Sequence, residues 1–412
     1  MISANISHNN ASLELSFFDE DDDDQETSQD LDAEEISELV VSGTDWTTGT
    51  ILDQLVRENI RLNPRFQRRD AWDITRKSRF IESLILGLPV PQIVLAMSQT
   101  ERGKYLVLDG KQRLLTILQF YGKSETSNNS FSLRGLQLRP DLNKLKYDDL
   151  TKNILNSSDI SALDNQTIRT ILIRNWKSEK LLYQIFLRLN VESTPLSPQE
   201  LRQALHPGPF SNFVDDKSIS SVALRKILRS NTPDYRMRDV EILIRHIGFH
   251  YFMPSYRGNL KEFLDDTCEK LNKNWDSEEE RLEDVLDAFE KAVEVGINIF
   301  GENHFSKVWL SSTNKYQTRF NKAIFDVVSF YFSDQKIREV AMKKGEKVEN
   351  AFKDLCASHP EFVNSVQRTS KNMQETSTRF SLWGDYLSKA LDLEFNVPKL
   401  SDNNRIVFNG LW

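Results

Sequence analysis

Residues 106–120 read LVLDGKQRLLTILQF, and this junction restricts the fold more tightly than any other stretch of the chain. Its first half, led in by Lys104 and Tyr105, is short and apolar, as a buried strand requires. In the second half Leu114, Ile117, Leu118 and Tyr121 recur at i, i+3, i+4 and i+7, the spacing of one helix face. Asp109-Gly110 separates the two, so a strand must turn directly into a helix within one layered module. Lys111 and Arg113 then fall in the first helical turn, where N–H groups lack acceptors and the helix dipole disfavours cations.

Two readings of this turn follow. A glycine turn at a helix start is an anion site, with backbone N–H groups aimed at phosphate. Lys111 or Arg113 would add charge-assisted bonds, and Asp109 would hold magnesium or orient an attacking water. The other reading is an Asp-Gly turn that caps a helix whose basic side chains lie in solvent. From the pentapeptide alone the second is the simpler, because the dipole argument is worth only ~0.3–1 kcal/mol per charge.

The flanking sequence supplies the rest of a module. TTGTILDQLVRENI reads as a capped helix, and ITRKSRFIESLILG sets Phe80, Ile81, Leu84 and Ile85 on one face before a stop at Gly87. The prolines of LPVPQIVLAM force an extended approach to a strand from about Ile93 to Met97. RTILIRNW, residues 169–176, is a further strand, and LLYQIFLRLN is helical. LSPQELRQAL is a helix with Ser197 as N-cap, Pro198 first and Glu200 third, a capping box. Residues 122–165 are polar and turn-rich and read as an irregular connection. From residue 216 onward the pattern is almost purely helical. A second capping box is expected at Ser277 and Glu280, opening a helix to about Phe300, with further helices over 319–332, 335–357 and 377–393. The predicted class is therefore α+β: an α/β module over residues 36–215, ordered from about Trp46, then a mainly α-helical domain over 216–412.

Charge is unevenly spread. Residues 1–45 hold fourteen Asp or Glu and no Lys or Arg, so against a total of −8 the rest of the chain is positive by 6. Residues 1–35 are expected to be a disordered acidic tail, solubilising or self-masking, before a body that is able to meet nucleic acid. Cys268 and Cys356 are the only cysteines and lie far apart, which argues for a reducing compartment and against a thiolate zinc site. With no apolar run near ~18 residues and no secretory leader, a cytoplasmic protein without a membrane partner is expected.

Two more clusters bear on chemistry. NPRFQRRDAW sets Arg65, Arg68 and Arg69 beside Phe66 and Trp72, suited to phosphate or base stacking and equally to a surface strand anchored by its aromatics. FLRLNVESTPLSPQELRQAL supplies Arg188, Asn190, Glu200 and Arg202 around a turn and a capped helix. Taken in order, NPRFQRRDAW, FIESLILGLPVPQIVLA, LVLDGKQRLLTIL and FLRLNVESTPLSPQELRQAL resemble the N-terminal domain of GmrSD-type restriction enzymes over roughly residues 46–215. That family has a ParB/sulfiredoxin-like fold and an Asp-Gly-Gln-Gln-Arg signature. The later stretches RDVEILIRHIGF and RFNKAIFDVVSFYF are also similar to those of its members.

The resemblance implies nucleotide binding and hydrolysis in a phage-defence or modified-DNA restriction system. By position, Asp109, Gly110, Gln112 and Arg113 match the signature, whereas Lys111 replaces a Gln. Arg68 and Trp72 match the Arg and the aromatic of a second family block, and Asn190, Glu200 and Arg202 match supporting positions. Asp109 and Arg113 are thereby implied as catalytic, and Arg68, Gly110, Lys111, Gln112 and Arg113 as nucleotide-binding. The implied cofactors are an NTP and Mg2+, the metal at Asp109. The implied partner is DNA, modified phage DNA included, and a homo-oligomer is compatible with the family. Many relatives carry an HNH nuclease domain, but the six histidines here are scattered, so cutting is expected from a separate nuclease or effector subunit. The alternative is a non-catalytic subunit that senses nucleotide or DNA.

Two further patterns are read as chance. His246 and His250 stand at i, i+4 without the glutamate of a zinc motif, beside Ile247 and Phe249, as in a core helix. Arg245 and His250 match a ribonuclease-like R-x4-H spacing that this helix gives no other reason to assign.

Overall fold

The computed structural model describes residues 38–60, 62, 71–99, 101–123, 130–153, 156–178, 181, 182, 185, 197–230, 232–367 and 372–412. The acidic tail and most of LLYQIFLRLN lie outside these residues. Two compact units emerge: residues 38–205 with Tyr235–Met237, and His206–Asp234 with Arg238–Trp412. The chain first passes from one to the other at Leu205/His206, where Pro207 and Gly208 end the preceding helix and Pro209 opens the next.

The N-terminal unit runs β1 (Val40–Thr47), α1 (Thr48–Val56), α2 (Ile74–Ile85), β2 (Ile93–Met97), β3 (Tyr105–Asp109), α3 (Lys111–Phe120), α4 (Tyr147–Lys152), α5 (Ser157–Asn165), β4 (Thr167–Arg174) and α6 (Pro198–Leu205). The sheet order is β1-β4-β2-β3, with β2 parallel to β4 and the two outer pairs antiparallel. Alternation along the strands sends Ile93, Leu95, Val107, Ile168 and Leu172 to one face, into a core with Ile51 of α1, Leu84 of α2 and Leu114 of α3. Val94, Ala96, Leu108 and Ile173 turn to the other face and pack with Trp176 and Leu201 of α6. β2 is thus covered on both sides, which is why its IVLA is continuously apolar.

The helix starts follow from local chemistry. Thr47 Oγ1 accepts from Thr50 N at 3.1 Å to cap α1, and Asp73 Oδ1 accepts from Arg76 N at 2.7 Å to cap α2. At α6 the Ser197/Glu200 capping box is complete: Ser197 Oγ accepts from Glu200 N at 3.1 Å, and Glu200 Oε2 accepts from Ser197 N at 2.7 Å.

Several expectations are corrected. β1 is a strand that the sequence does not advertise, since VVSGTDWT includes Gly and Asp; its eight-residue antiparallel pairing with β4 carries it. The connection 122–165 contains α4 and α5, the latter held by buried Leu163 and by Tyr121 donating to Asp164 at 2.6 Å. In the helical unit, Ser277 does not open a helix. Its hydroxyl donates back to Asn274 O at 2.9 Å inside a helix that already starts at Trp275.

That unit comprises α7 (Pro209–Ser220), α8 (Val222–Leu228), α9 (Arg238–Phe252), α10 (Leu260–Lys273), α11 (Trp275–Phe300), α12 (Lys322–Phe332), α13 (Gln335–Lys343), α14 (Gly345–Ser358), α15 (Pro360–Gln367) and α16 (Met373–Leu391). Two short hairpins, Trp309–Leu310 with Lys315–Tyr316 and Lys399–Leu400 with Ile406–Val407, interrupt the helical pattern. Among the described residues no helix is long and apolar enough to cross a membrane.

Of the residues in the two patterns read as chance, Arg245 and His246 lie in the core, whereas His250 is exposed. Arg245 is buried and donates to both oxygens of Asp326, at 3.0 and 2.5 Å. His246 lies between the hydroxyls of Ser329 and Ser333, 3.3 Å from each, against the ring of Phe289. Cys268 and Cys356 are buried and unbridged, and burial pushes the Cys356 thiol up to about 12.

Burial, with His250 nearby, lowers His246 from 6.5 to about 3. The unfolded chain therefore takes up this proton first, so stability present above pH 6.5 is lost as pH falls toward 3. Between pH 7.5 and 5.0 the wild type should lose ~2 kcal/mol more than His246→Gln in denaturant titrations. Equal losses would show that the folded protein protonates His246 readily.

Candidate nucleotide site

The turn between β3 and α3 is built around one glycine. Gly110 has φ +98 and ψ 10, and no side chain caps the helix that begins at Lys111. A Cβ at this position would stand 3.0 Å from Ile93 Cγ1 and 3.4 Å from Arg113 Nε and Nη2. Only glycine tolerates both the backbone and the crowding. Gly110→Ala should cost ~1–3 kcal/mol by chemical denaturation, the usual cost of such a strained residue. A loss below ~0.5 kcal/mol would mean that the turn relaxes freely.

Asp109 organises the turn with both oxygens. Oδ1 accepts from Gly110 N at 2.7 Å, and Oδ2 accepts from Arg113 Nη2 at 2.7 Å. The same Nη2 donates to Gln92 O at 2.8 Å, just before β2. Arg113 is only 7% exposed, and its Nε is a buried donor with no acceptor among the described residues. The guanidinium thus lies across the turn, fixed at one nitrogen and with donor capacity left at another.

Lys111 is not a solvated side chain either. Its ammonium is ion-paired to Glu200 Oε1 of α6, and both side chains are 5% exposed. Glu200 spends its other oxygen on the capping box, while Ser197 Oγ donates to Arg236 O at 2.5 Å. Glu200 therefore does more than cap a helix, because it also supplies the counter-charge for the first residue of another. The formal charges of Asp109, Lys111, Arg113 and Glu200 cancel, so an arriving anion meets oriented donors rather than a net positive surface.

The other sequence-derived residues are placed unevenly. Gln112 Oε1 accepts from Ala71 N at 3.3 Å, tying the helix start to the segment before α2. Next to it, half-buried Trp72 packs edge-on to Phe80, with the Arg76 guanidinium 4.7 Å over its ring. Arg202 is buried and donates to Gln199 Oε1 at 2.6 Å within α6. Arg68 and Asn190 lie outside the described residues. Sequence reasoning missed Gln92, whose carbonyl holds Arg113, because backbone acceptors leave no signature in residue identity.

Magnesium fits this site only in company with a ligand. Among the described residues no group of three or more His, Cys, Asp or Glu gathers to hold a metal. Asp109 is reachable, with its side chain 18% exposed, and each oxygen keeps a lone pair beyond the bond it accepts. That suits a magnesium ion bound by one carboxylate plus phosphates and water.

Residues 52–207 match the family model described as GmrSD restriction endonuclease, N-terminal domain, an interval that holds the Gly110 turn, Glu200 and α6. No curated protein and no solved structure significantly matches the chain. The interval from residue 52 to 207, with its strand–glycine–helix turn, belongs to the GmrSD N-terminal domain family.

Proposed function

We propose that this chain works in a restriction system against foreign DNA, and that the Gly110 turn binds and hydrolyses a nucleoside triphosphate. The observation that carries the reading is the buried Arg113 guanidinium, laid across a left-handed glycine at a helix N-terminus, with its Nε donor lacking an acceptor among the described residues. Helix-start N–H groups suit phosphate oxygens, and a fixed arginine stabilises charge that develops during transfer. Asp109 lies at the turn, where a carboxylate can orient the attacking water. Magnesium carried by the nucleotide would neutralise phosphate charge, with Asp109 as its protein ligand. Phosphate release from each of four NTPs with magnesium tests the reading.

One observation favours a second reading. Both Asp109 oxygens already accept a bond, which makes the carboxylate a better organiser of the turn than a base. Nucleotide binding with no phosphate release would establish this non-catalytic sensor, acting through DNA or a separate nuclease. DNA binding, the role that the family name suggests, should weaken steeply as salt is raised, because phosphate contacts release counterions.

A further inference from the structure

The residue that departs from the family signature, Lys111, is also the one withheld from the turn. It occupies the first position of α3, next to Gly110, yet its ammonium is held by Glu200, 89 residues away in sequence. The holding carboxylate is fixed in turn. Its second oxygen is locked by the Ser197 backbone N–H, and the Ser197 hydroxyl is anchored on Arg236 O. A lysine at a helix start with no such partner would lie beside any anion bound over the turn.

We propose that Glu200 is a built-in competitor for the nucleotide phosphate: it sequesters Lys111 and so holds affinity at the Gly110 turn below what the residues there would otherwise give. This rests on the nucleotide reading above. When Glu200 lets go, the Lys111 ammonium becomes a phosphate ligand. Any event that draws α6 or residues 235–237 away therefore tightens the site. The contacts of α6 and Arg236 thus regulate the turn without touching the nucleotide.

The test is a double-mutant cycle on nucleotide affinity, by calorimetric titration of one NTP with magnesium into full-length protein. Glu200→Gln keeps an oxygen for Ser197 N but gives up the charge that holds Lys111. It should tighten binding by about tenfold, the lower end for a charged hydrogen bond. Adding Lys111→Gln to that background should remove the gain. A destabilised but otherwise unaltered site would not bind more tightly, so folding losses cannot mimic this result. Glu200→Asp, with the carboxylate drawn back by one methylene, is a milder variant that should give a smaller gain in the same direction.

Unchanged or weaker affinity in Glu200→Gln and Glu200→Asp overturns the proposal. So does a gain that persists without Lys111, which would mark a mere loss of negative charge. Wild type that binds nucleotide while the cycle shows no coupling refutes this inference alone. Wild type that binds none of four NTPs refutes the nucleotide reading, and this inference with it.

Discussion

Lys111→Ala is expected to destabilise the N-terminal unit by about 3–5 kcal/mol, because it strands the Glu200 carboxylate without its cation in a buried setting. The size follows from an asymmetry. A buried ion pair gains little over an apolar pair of the same shape, but half of one is costly. Lys111→Met combined with Glu200→Gln should therefore recover most of the loss. The amide still accepts from Ser197 N, and no uncompensated charge remains. Urea titrations of the single and double variants measure both. A single-variant loss below ~1 kcal/mol would mean that water reaches Glu200 and the pair behaves as a surface bridge.

Asp109→Ala is expected to cut NTP turnover by at least ~100-fold, in line with the removal of one organising group from a charged transition state. Two roles fail together. Gly110 N loses its acceptor, and Arg113 Nη2 loses its counter-ion. Asp109→Asn keeps one of the two, since its side-chain oxygen still receives Gly110 N. That variant should be less stable than wild type, because an amide does not balance buried Arg113. It should melt above Asp109→Ala, which also loses the acceptor for Gly110 N, and it should stay inactive because an amide ligates magnesium poorly. Turnover at the wild-type rate in Asp109→Asn would remove Asp109 from the chemistry.

What the sequence made legible is what is local. The strand, the Asp-Gly turn and the helix face after it arise from spacing within fifteen residues, and β3, Gly110 and α3 stand where the pattern put them. The Ser197/Glu200 box is equally local and forms as expected. Pairing at a distance was not legible. β1 exists because β4 is there to receive it, and nothing in VVSGTDWT states that.

The misplaced cations of the first helical turn belong to the same class. Their conflict with the dipole, ~0.3–1 kcal/mol each, is answered by carboxylates. Asp109 is four residues from Arg113, but Glu200 comes from a different helix. Spacing ranked Lys111 and Arg113 as equivalent counter-charges for a phosphate. The fold distinguishes them, with Arg113 across the turn and Lys111 turned to α6.

If Arg113 and the Gly110 turn together form the proposed nucleotide phosphate site, calorimetric titration will read the binding at its source. Four NTPs, each with magnesium, are titrated into wild type and into Arg113→Gln. Saturable one-site binding of at least one NTP to wild type is expected. In Arg113→Gln that binding should be weaker by at least about tenfold, the loss of one charge-assisted bond to phosphate. Equal affinities in the two proteins, or no binding of any NTP at millimolar concentration, would contradict the proposed site.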